Sequence, residues 1–127
     1  MSGRASRLKG KGGEREFANL LSEALGIKFE RNLDQTRDGG FDLKGIDKLA
    51  IEVKRQETIN LTAWWRQALE QAEKGQYPVL AYRQSRKPWM VMIPLAMLAP
   101  RYKWKDEAAT VDLDTFIAIV KRHILKK

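Results

Sequence analysis

The sequence predicts a single α/β domain with a mixed central β-sheet of about five strands flanked by helices. The length of 127 residues is in the range of one domain and leaves little room for two. A content of 43% apolar and 31% charged residues is typical of a globular protein. Helical and strand-like patterns follow one another in the order α-β-β-β-α-β-β-α, which favours a sheet covered by helices.

The first thirteen residues differ from the rest of the chain. They contain four glycines and no apolar periodicity, so we expect a flexible basic arm over residues 1–13 and a single domain over residues 14–127. From Glu14 onwards apolar residues recur at helical spacing up to Gly26, which predicts a first helix over 14–25. The basic residues of the arm are Arg4, Arg7, Lys9 and Lys11.

Three strands are expected next. Residues 27–31 alternate apolar and charged side chains, as a half-buried strand does, and a polar loop follows over 32–40. Residues 41–44 form a second short strand, 45–47 a turn and 49–54 a third strand. The third strand is largely apolar, which predicts an interior position in the sheet.

The second half continues with a helix, two strands and a last helix. Asn60 or Thr62 is a candidate cap for a helix over 63–74, which Gly75 would end. Residues 78–82 and 89–93 are apolar strand candidates with a basic connection, and 113–125 carry apolar residues at helical spacing.

Composition narrows the function. The chain has no Cys, which excludes disulfides and thiol chemistry, and its one His, His123, excludes a histidine-rich metal site. No apolar run approaches the ~20 residues that span a bilayer, and no apolar stretch follows the N-terminal basic residues, so we expect a cytoplasmic protein without membrane contact. A net charge of +8 favours a nucleic-acid partner.

The most informative residues are Asp42, Glu52 and Lys54. Residues two apart on a strand share a face, so Glu52 and Lys54 project together. Asp42 and Glu52 flank a turn, and antiparallel pairing would bring them within about 4.5–8 Å, where they could share Mg²⁺ or Mn²⁺. A plain cross-strand salt bridge is the alternative, and spacing alone favours it.

Two glutamates on the first helix are predicted to differ. Glu14 lies at the edge of the apolar face and points towards the sheet, so it can supply a third carboxylate. A favourable acid in the first helical turn explains it equally well. Glu16 lies about 110° from the centre of that face and is expected to be solvated.

Together these segments carry a resemblance. The helix headed by Glu14, the run Gly39–Asp42 and the run Ile51–Lys54 resemble the PD-(D/E)xK nuclease superfamily. The segment Lys-Gly-Gly-Glu-Arg-Glu-Phe at 11–17 and the strand pair at 77–82 and 89–93 are similar to archaeal-type Holliday junction resolvases. The likeness covers about residues 9–95, and it departs at Phe41, where the superfamily motif has proline.

The resemblance implies a restriction-endonuclease-like fold and a Mg²⁺-dependent endonuclease that hydrolyses DNA at four-way junctions as a homodimer. Mn²⁺ is expected to substitute for Mg²⁺. Glu14, Asp42 and Glu52 would be the metal-binding acids, and Lys54 the catalytic lysine. A restriction- or repair-type endonuclease acting on other DNA and a non-catalytic basic DNA-binding module stay open as alternatives.

Further residues are candidates for DNA or partner contacts. Arg15, Arg31 and Arg55 flank the site and are expected to bind DNA phosphates together with the basic residues of the arm. Of the adjacent Trp64 and Trp65, one is expected in the core and the other at a dimer interface or a DNA-stacking surface. Roles for Gln67, Gln71 and the loop residue Thr36 stay undecided.

Overall fold

The structure is a computed structural model that describes residues 3–33, 40–103 and 107–125, with side chains described from residue 12 onwards. The proposed loop residue Thr36 lies outside these ranges. The elements in chain order are α1 (Gly3–Leu25), β1 (Glu30–Arg31), β2 (Leu43–Lys44), β3 (Leu49–Arg55), α2 (Leu61–Gln71), β4 (Tyr77–Arg83), β5 (Met90–Pro94), a 3₁₀ turn (Leu95–Met97), β6 (Ala108–Asp112) and α3 (Leu113–Ile119), which a π-helical segment (Val120–Leu125) extends.

The sheet is mixed, as predicted, but it has six strands in the order β1-β2-β3-β4-β5-β6. Only β3 and β4 run parallel, because α2 crosses between them, and the other neighbours are antiparallel. The sixth strand was not predicted, since its side chains are half-exposed or exposed and have no clear apolar alternation. It is defined by pairing with β5, where Val91 lies opposite Val111.

The first helix begins at Gly3, not at Glu14. The flexible arm predicted over residues 1–13 is wrong for the backbone, because residues 3–13 are helical. A helix can extend beyond its apolar face when residues of high helix propensity, here Arg, Lys, Ala and Leu, offset the cost of glycine. The side chains of Arg4, Arg7, Lys9 and Lys11 lie outside the described part. The division into an arm and a domain stays a prediction.

Other boundaries shift by a few residues. The first two strands are shorter than predicted, and β3 and β4 extend slightly beyond the predicted bounds. Asn60 caps α2 by accepting a hydrogen bond from the backbone N–H of Ala63 at 3.3 Å, and α2 ends at Gln71 rather than at residue 74. The last helix widens to π geometry after Ile119.

The two faces of the sheet bury different clusters. One face packs against α1 and α3 around Phe17, Leu21, Ile51 and Phe116. The other face packs against α2 through a smaller group of Trp64, Ala68 and Leu80. Glu52 and Lys54 lie on this second face, because Ile51 and Val53 point to the first.

Helix α1 crosses β3 at very close range. A Cβ atom on Gly13 would lie 2.9 Å from the Cβ of Arg55, so glycine is needed for the helix to approach the strand this closely. The crossing fixes where Glu14, the next residue, stands relative to the sheet. In the described ranges no helix is long and apolar enough to cross a membrane.

Candidate active site

Asp42 and Glu52 lie side by side, as the turn between their strands predicts. Leu43 pairs with Ile51, and the backbone N–H of Asp42 donates to the carbonyl of Ile51 at 2.8 Å, so the register sets Asp42 opposite Glu52. The Asp42 carboxylate also accepts a hydrogen bond from the backbone N–H of Val53 at 2.8 Å. Asp42 is therefore fixed in orientation by the strand that carries Glu52.

The electrostatics of this carboxyl pair are unfavourable. Glu52 is 1% exposed. Burial, reinforced by the neighbouring charge of Asp42, raises the pKa of Glu52 to about 9, although Lys54 acts in the opposite direction. Burial also raises the pKa of Asp42 to about 6, and the hydrogen bond from Val53 opposes this shift.

The two carboxyls of Asp42 and Glu52 are hydrogen-bonded to each other, but one oxygen of Glu52 has no partner in the part of the chain that the structure describes. Within the described residues, Glu52 Oε1 is buried and receives no hydrogen bond. A buried carboxylate oxygen without a donor is costly, so a proton or a bound cation is needed to offset the charge.

Glu14 stands close enough to raise the pKa of both Asp42 and Glu52 electrostatically. Its carboxylate accepts a hydrogen bond from Arg31 Nε at 2.8 Å. In the part of the chain that the structure describes, no three acidic, histidine or cysteine side chains lie close enough to hold one metal ion. The structure thus brings two predicted acids into contact and places the third beside them with an arginine partner.

Glu16 is not solvated, and that prediction is wrong. Its carboxylate accepts a hydrogen bond from the indole N–H of Trp89 at 2.6 Å, pairs with Arg83 and lies 3.4 Å from Arg55. Side chains from the end of β3, the end of β4 and the start of β5 reach Glu16 from the sheet and leave it half-buried. Sequence spacing within one helix carries no information about these distant partners.

Gln71 is a site neighbour that the sequence left undecided. Its side-chain oxygen accepts a hydrogen bond from the backbone N–H of Gly40, two residues before Asp42. Gly40 has a φ of 99°, a conformation that favours glycine. The end of α2 therefore holds the segment that leads into Asp42. Gln67 is half-buried, and the contacts of the described residues assign it no role at the site.

The remaining predicted residues fall into three groups. Arg15 is exposed and lines a surface pocket of about 330 Å³ together with Arg31 and the exposed Leu33. Arg55 faces Glu16, and its Nε is buried without a partner among the described residues. Trp64 is in the core at 7% exposure, which confirms the prediction that one of the two indoles is buried there. Trp65 is half-buried.

Comparison with known proteins assigns the chain to a family. Residues 5–123 match the model of the family described as "Phage putative PDDEXK endonuclease". The chain belongs to this family. As a PDDEXK nuclease, it shares the superfamily fold with the 1.6 Å structure of Archaeoglobus fulgidus Hjc, a Holliday junction resolvase from an archaeal hyperthermophile. The two align with a TM-score of 0.54 and 19% identity over 87% of this chain and 98% of that one. A search of curated proteins gave no match.

The acidic residues of this PDDEXK nuclease suit a divalent cation. Carboxylate oxygens are the ligands that Mg²⁺ and Mn²⁺ prefer, and among the described residues Glu52 Oε1 is a buried oxygen that lacks a donor. Burial raises the pKa of both Asp42 and Glu52, so either a proton or a cation would lower the cost of placing these carboxyls together. The residues therefore fit the divalent metal that the superfamily generally uses.

Proposed function

We propose that the chain is a Mg²⁺-dependent, structure-selective DNA endonuclease that hydrolyses phosphodiester bonds at four-way junctions. The observation that carries the proposal is the pair of Asp42 and buried Glu52, with Lys54 on the same face and, among the described residues, no donor to Glu52 Oε1. The fold shared with a protein named as a Holliday junction resolvase supports the choice of substrate.

Asp42 and Glu52 would hold the metal, and Glu14 would join them when the ion binds, because in the described residues the three carboxylates as they stand do not lie close enough to share one ion. A bound divalent cation would neutralise phosphate oxygens and lower the pKa of water. Asp42 is kept in orientation by the N–H of Val53, and Glu14 is held at the edge of the pair by Arg31. These contacts orient Asp42 for the ion and keep Glu14 nearby.

Lys54 and Glu52 would act directly on the reacting groups. The Lys54 ammonium acts electrostatically on both carboxyls, so it stands within reach of a phosphate bound beside them. There it would stabilise the negative charge that builds on the phosphate oxygens in the transition state. Glu52, as a carboxylate beside the bound cation, would accept the proton of the attacking water, and Lys54 would help to orient that water.

Binding of DNA would rely on the positive charge around this site. Arg15, Arg31 and Arg55 would grip phosphates next to the cleaved bond, and the basic residues Arg4, Arg7, Lys9 and Lys11 would add contacts farther along the duplex. Junction cleavage needs cuts in two strands, which a homodimer with two sites supplies. The half-buried Trp65 is the indole available for that interface.

A cleavage assay tests the proposal. The full chain is incubated with a four-way junction, a linear duplex of the same sequence and a single strand, each with and without Mg²⁺, and Asp42→Asn serves as the inactive control. We expect Mg²⁺-dependent cleavage of the junction alone. Cleavage of linear duplex would indicate a restriction- or repair-type enzyme, and tight binding without any cleavage would indicate a DNA-binding module.

A further inference from the structure

A second depression lies on the same face of the sheet as the carboxyl pair. It has a volume of about 320 Å³ and sits where β4 ends and β5 begins. This size is at the lower end of the range for small-molecule sites. Its lining includes Ile59, Tyr82, Gln84, Lys87, Pro88 and Met90.

The register places this pocket beside Lys54. Parallel pairing of β3 with β4 sets Tyr82 next to Lys54, and antiparallel pairing of β4 with β5 sets Met90 next to Tyr82. All three side chains point to the α2 face. With about 4.8 Å between strands, Tyr82 and Met90 extend the site sideways by about 10 Å.

The chemistry of the lining combines an aromatic ring with polar and cationic groups. Tyr82 is half-buried, with its ring centroid 6.3 Å from that of Trp64, and Ile59 and Met90 add apolar surface. The exposed Lys87 and the half-buried Gln84 stand at the rim. An apolar aromatic floor with a cationic rim suits a base attached to a phosphate backbone.

Hydrogen bonds hold the walls of the pocket in place. Gln84 donates to the carbonyl of Glu57 at 2.7 Å, and Arg83 Nε donates to the carbonyl of Lys87 at 2.8 Å. The Ser85 hydroxyl also donates a hydrogen bond to the carboxylate of Glu57, so this negative group near the rim is bonded within the protein. A pocket that is fixed before binding loses less conformational entropy when a ligand enters.

We infer that this pocket binds a nucleobase of the DNA strand whose backbone passes the carboxyl pair, stacking it on Tyr82 while Lys87 contacts the adjoining phosphate. The inference rests on the proposed function, since the position of the strand is set by cleavage at the carboxyl pair. Such a subsite would select DNA in which a base near the cleaved bond is unstacked or easily extruded. It would therefore favour branched over continuous duplex DNA.

The test uses 2-aminopurine placed at successive positions of a four-way junction, bound to the full chain in EDTA. We expect one or two neighbouring positions to change fluorescence severalfold. Tyr82→Phe should keep this response, and Tyr82→Leu should remove it. An abasic site at the responsive position should weaken binding to the unmodified protein at least about fivefold, which corresponds to ~1 kcal/mol of stacking, and leave binding to Tyr82→Leu unchanged.

A second variant covers the possibility that Tyr82→Leu does not fold, which circular dichroism would show. Lys87→Ala changes an exposed side chain and should flatten the slope of log K against log salt by about 0.9. A fluorescence response spread evenly over all positions, a response retained in Tyr82→Leu, or an unchanged salt slope in Lys87→Ala would overturn the inference. The inference would also be overturned if a second copy of the chain covers the pocket. In that case Tyr82→Leu would dissociate the dimer into monomers but would still bind the 2-aminopurine junction normally.

The same measurements separate this inference from the proposed function. Because the scan contains no divalent metal, a localised response without Mg²⁺-dependent cleavage would contradict only the endonuclease. Junction cleavage with no localised response would contradict only the base subsite.

Discussion

Two glutamates of this protein have opposite surroundings. Glu16 is half-buried, accepts from Trp89 at 2.6 Å and lies between Arg55 and Arg83. Glu52 is buried beside another carboxyl and, among the described residues, leaves Oε1 without a donor. The first carboxylate has an indole and two cations as partners, whereas the second lies against another acid.

This difference separates a structural acid from a functional one. Glu16 links α1 to the ends of three strands, and Arg55 and Arg83 balance its negative charge there. Ionising Glu52 in its buried position costs folding free energy, and a bound cation would remove that cost. Residue type and helical phase do not reveal the distinction, whereas the set of hydrogen-bond donors around each carboxylate does.

The largest effect is expected at the uncompensated pair. Asp42→Asn or Glu52→Gln should lower the rate of Mg²⁺-dependent junction cleavage by about 10³-fold or more, because each removes a ligand charge from the reacting centre. Single-turnover cleavage measures this rate. Junction binding in EDTA near neutral pH should be tighter for Asp42→Asn, which removes a negative charge near the phosphates, and unchanged for Glu52→Gln, because its raised pKa already keeps Glu52 protonated. Near-normal turnover in either variant would refute the metal assignment.

Glu14 and Glu16 provide a matched pair on one helix. Glu14→Gln should severely impair cleavage with little net effect on the free energy of unfolding, because the weakened ion pair with Arg31 is offset by the loss of repulsion from Asp42 and Glu52. Glu16→Gln should leave cleavage at saturating Mg²⁺ mildly affected but lower the free energy of unfolding by about 1–3 kcal/mol, because hydrogen bonds and ion pairs to Trp89 and two arginines are weakened. Denaturant titration and cleavage kinetics on both variants measure the two effects. The reverse ranking would show that Glu16, not Glu14, serves the reaction.

The pH dependence of stability should follow the carboxyl pair. The pKa of Glu52 is raised from 4.5 to about 9 and that of Asp42 from 3.8 to about 6, so the folded protein holds protons that the unfolded chain has lost. Their stabilising contribution is complete below about pH 4 and is lost as pH rises towards 9, with a slope of up to about 1.4 kcal/mol per pH unit for each proton.

Guanidinium unfolding in EDTA between pH 5 and pH 9 measures this loss. Glu52→Gln should flatten the profile, and Mg²⁺ added at pH 8 should restore stability to the unmodified protein through preferential binding to the folded state. A profile that rises with pH over this range, or one that Glu52→Gln leaves unaltered, would contradict the environment described for Glu52.

The smallest effect is expected at the N-terminal end of α1. Deleting residues 2–10 removes Arg4, Arg7 and Lys9, so the slope of log K against log salt should flatten by up to about 3, while cleavage at saturating protein persists. Equal slopes with and without these residues would place the basic footprint elsewhere, at Arg86 and Lys87 or on the last helix.

Much of the fold could be predicted from periodicity. The apolar run at 49–54 is an interior strand of the sheet, and the turn after Asp42 sets Asp42 opposite Glu52, because both depend on local pattern and on strand geometry. The family resemblance is also confirmed, since the model of a PDDEXK endonuclease family matches residues 5–123.

What could not be predicted depends on partners distant in sequence. Strand β6 is defined by its pairing with β5, not by its own composition. The ring of donors around Glu16 and the bond from Gly40 to Gln71 join residues more than thirty positions apart. Helical phase also does not predict the pairing of Glu14 with Arg31, because this pairing comes from the packing of α1 against β1.

The crossing of α1 over β3 at Gly13 has a consequence for how this protein tolerates change. Glu14 follows Gly13, where even a methyl group would meet the Cβ of Arg55 at 2.9 Å. A larger side chain at 13 would lift the helix, and the glutamate with it, away from the strand that carries Glu52. In a saturation mutagenesis scan of α1, the position least tolerant of added volume should therefore be one with no side chain of its own, and activity should fail there before folding does.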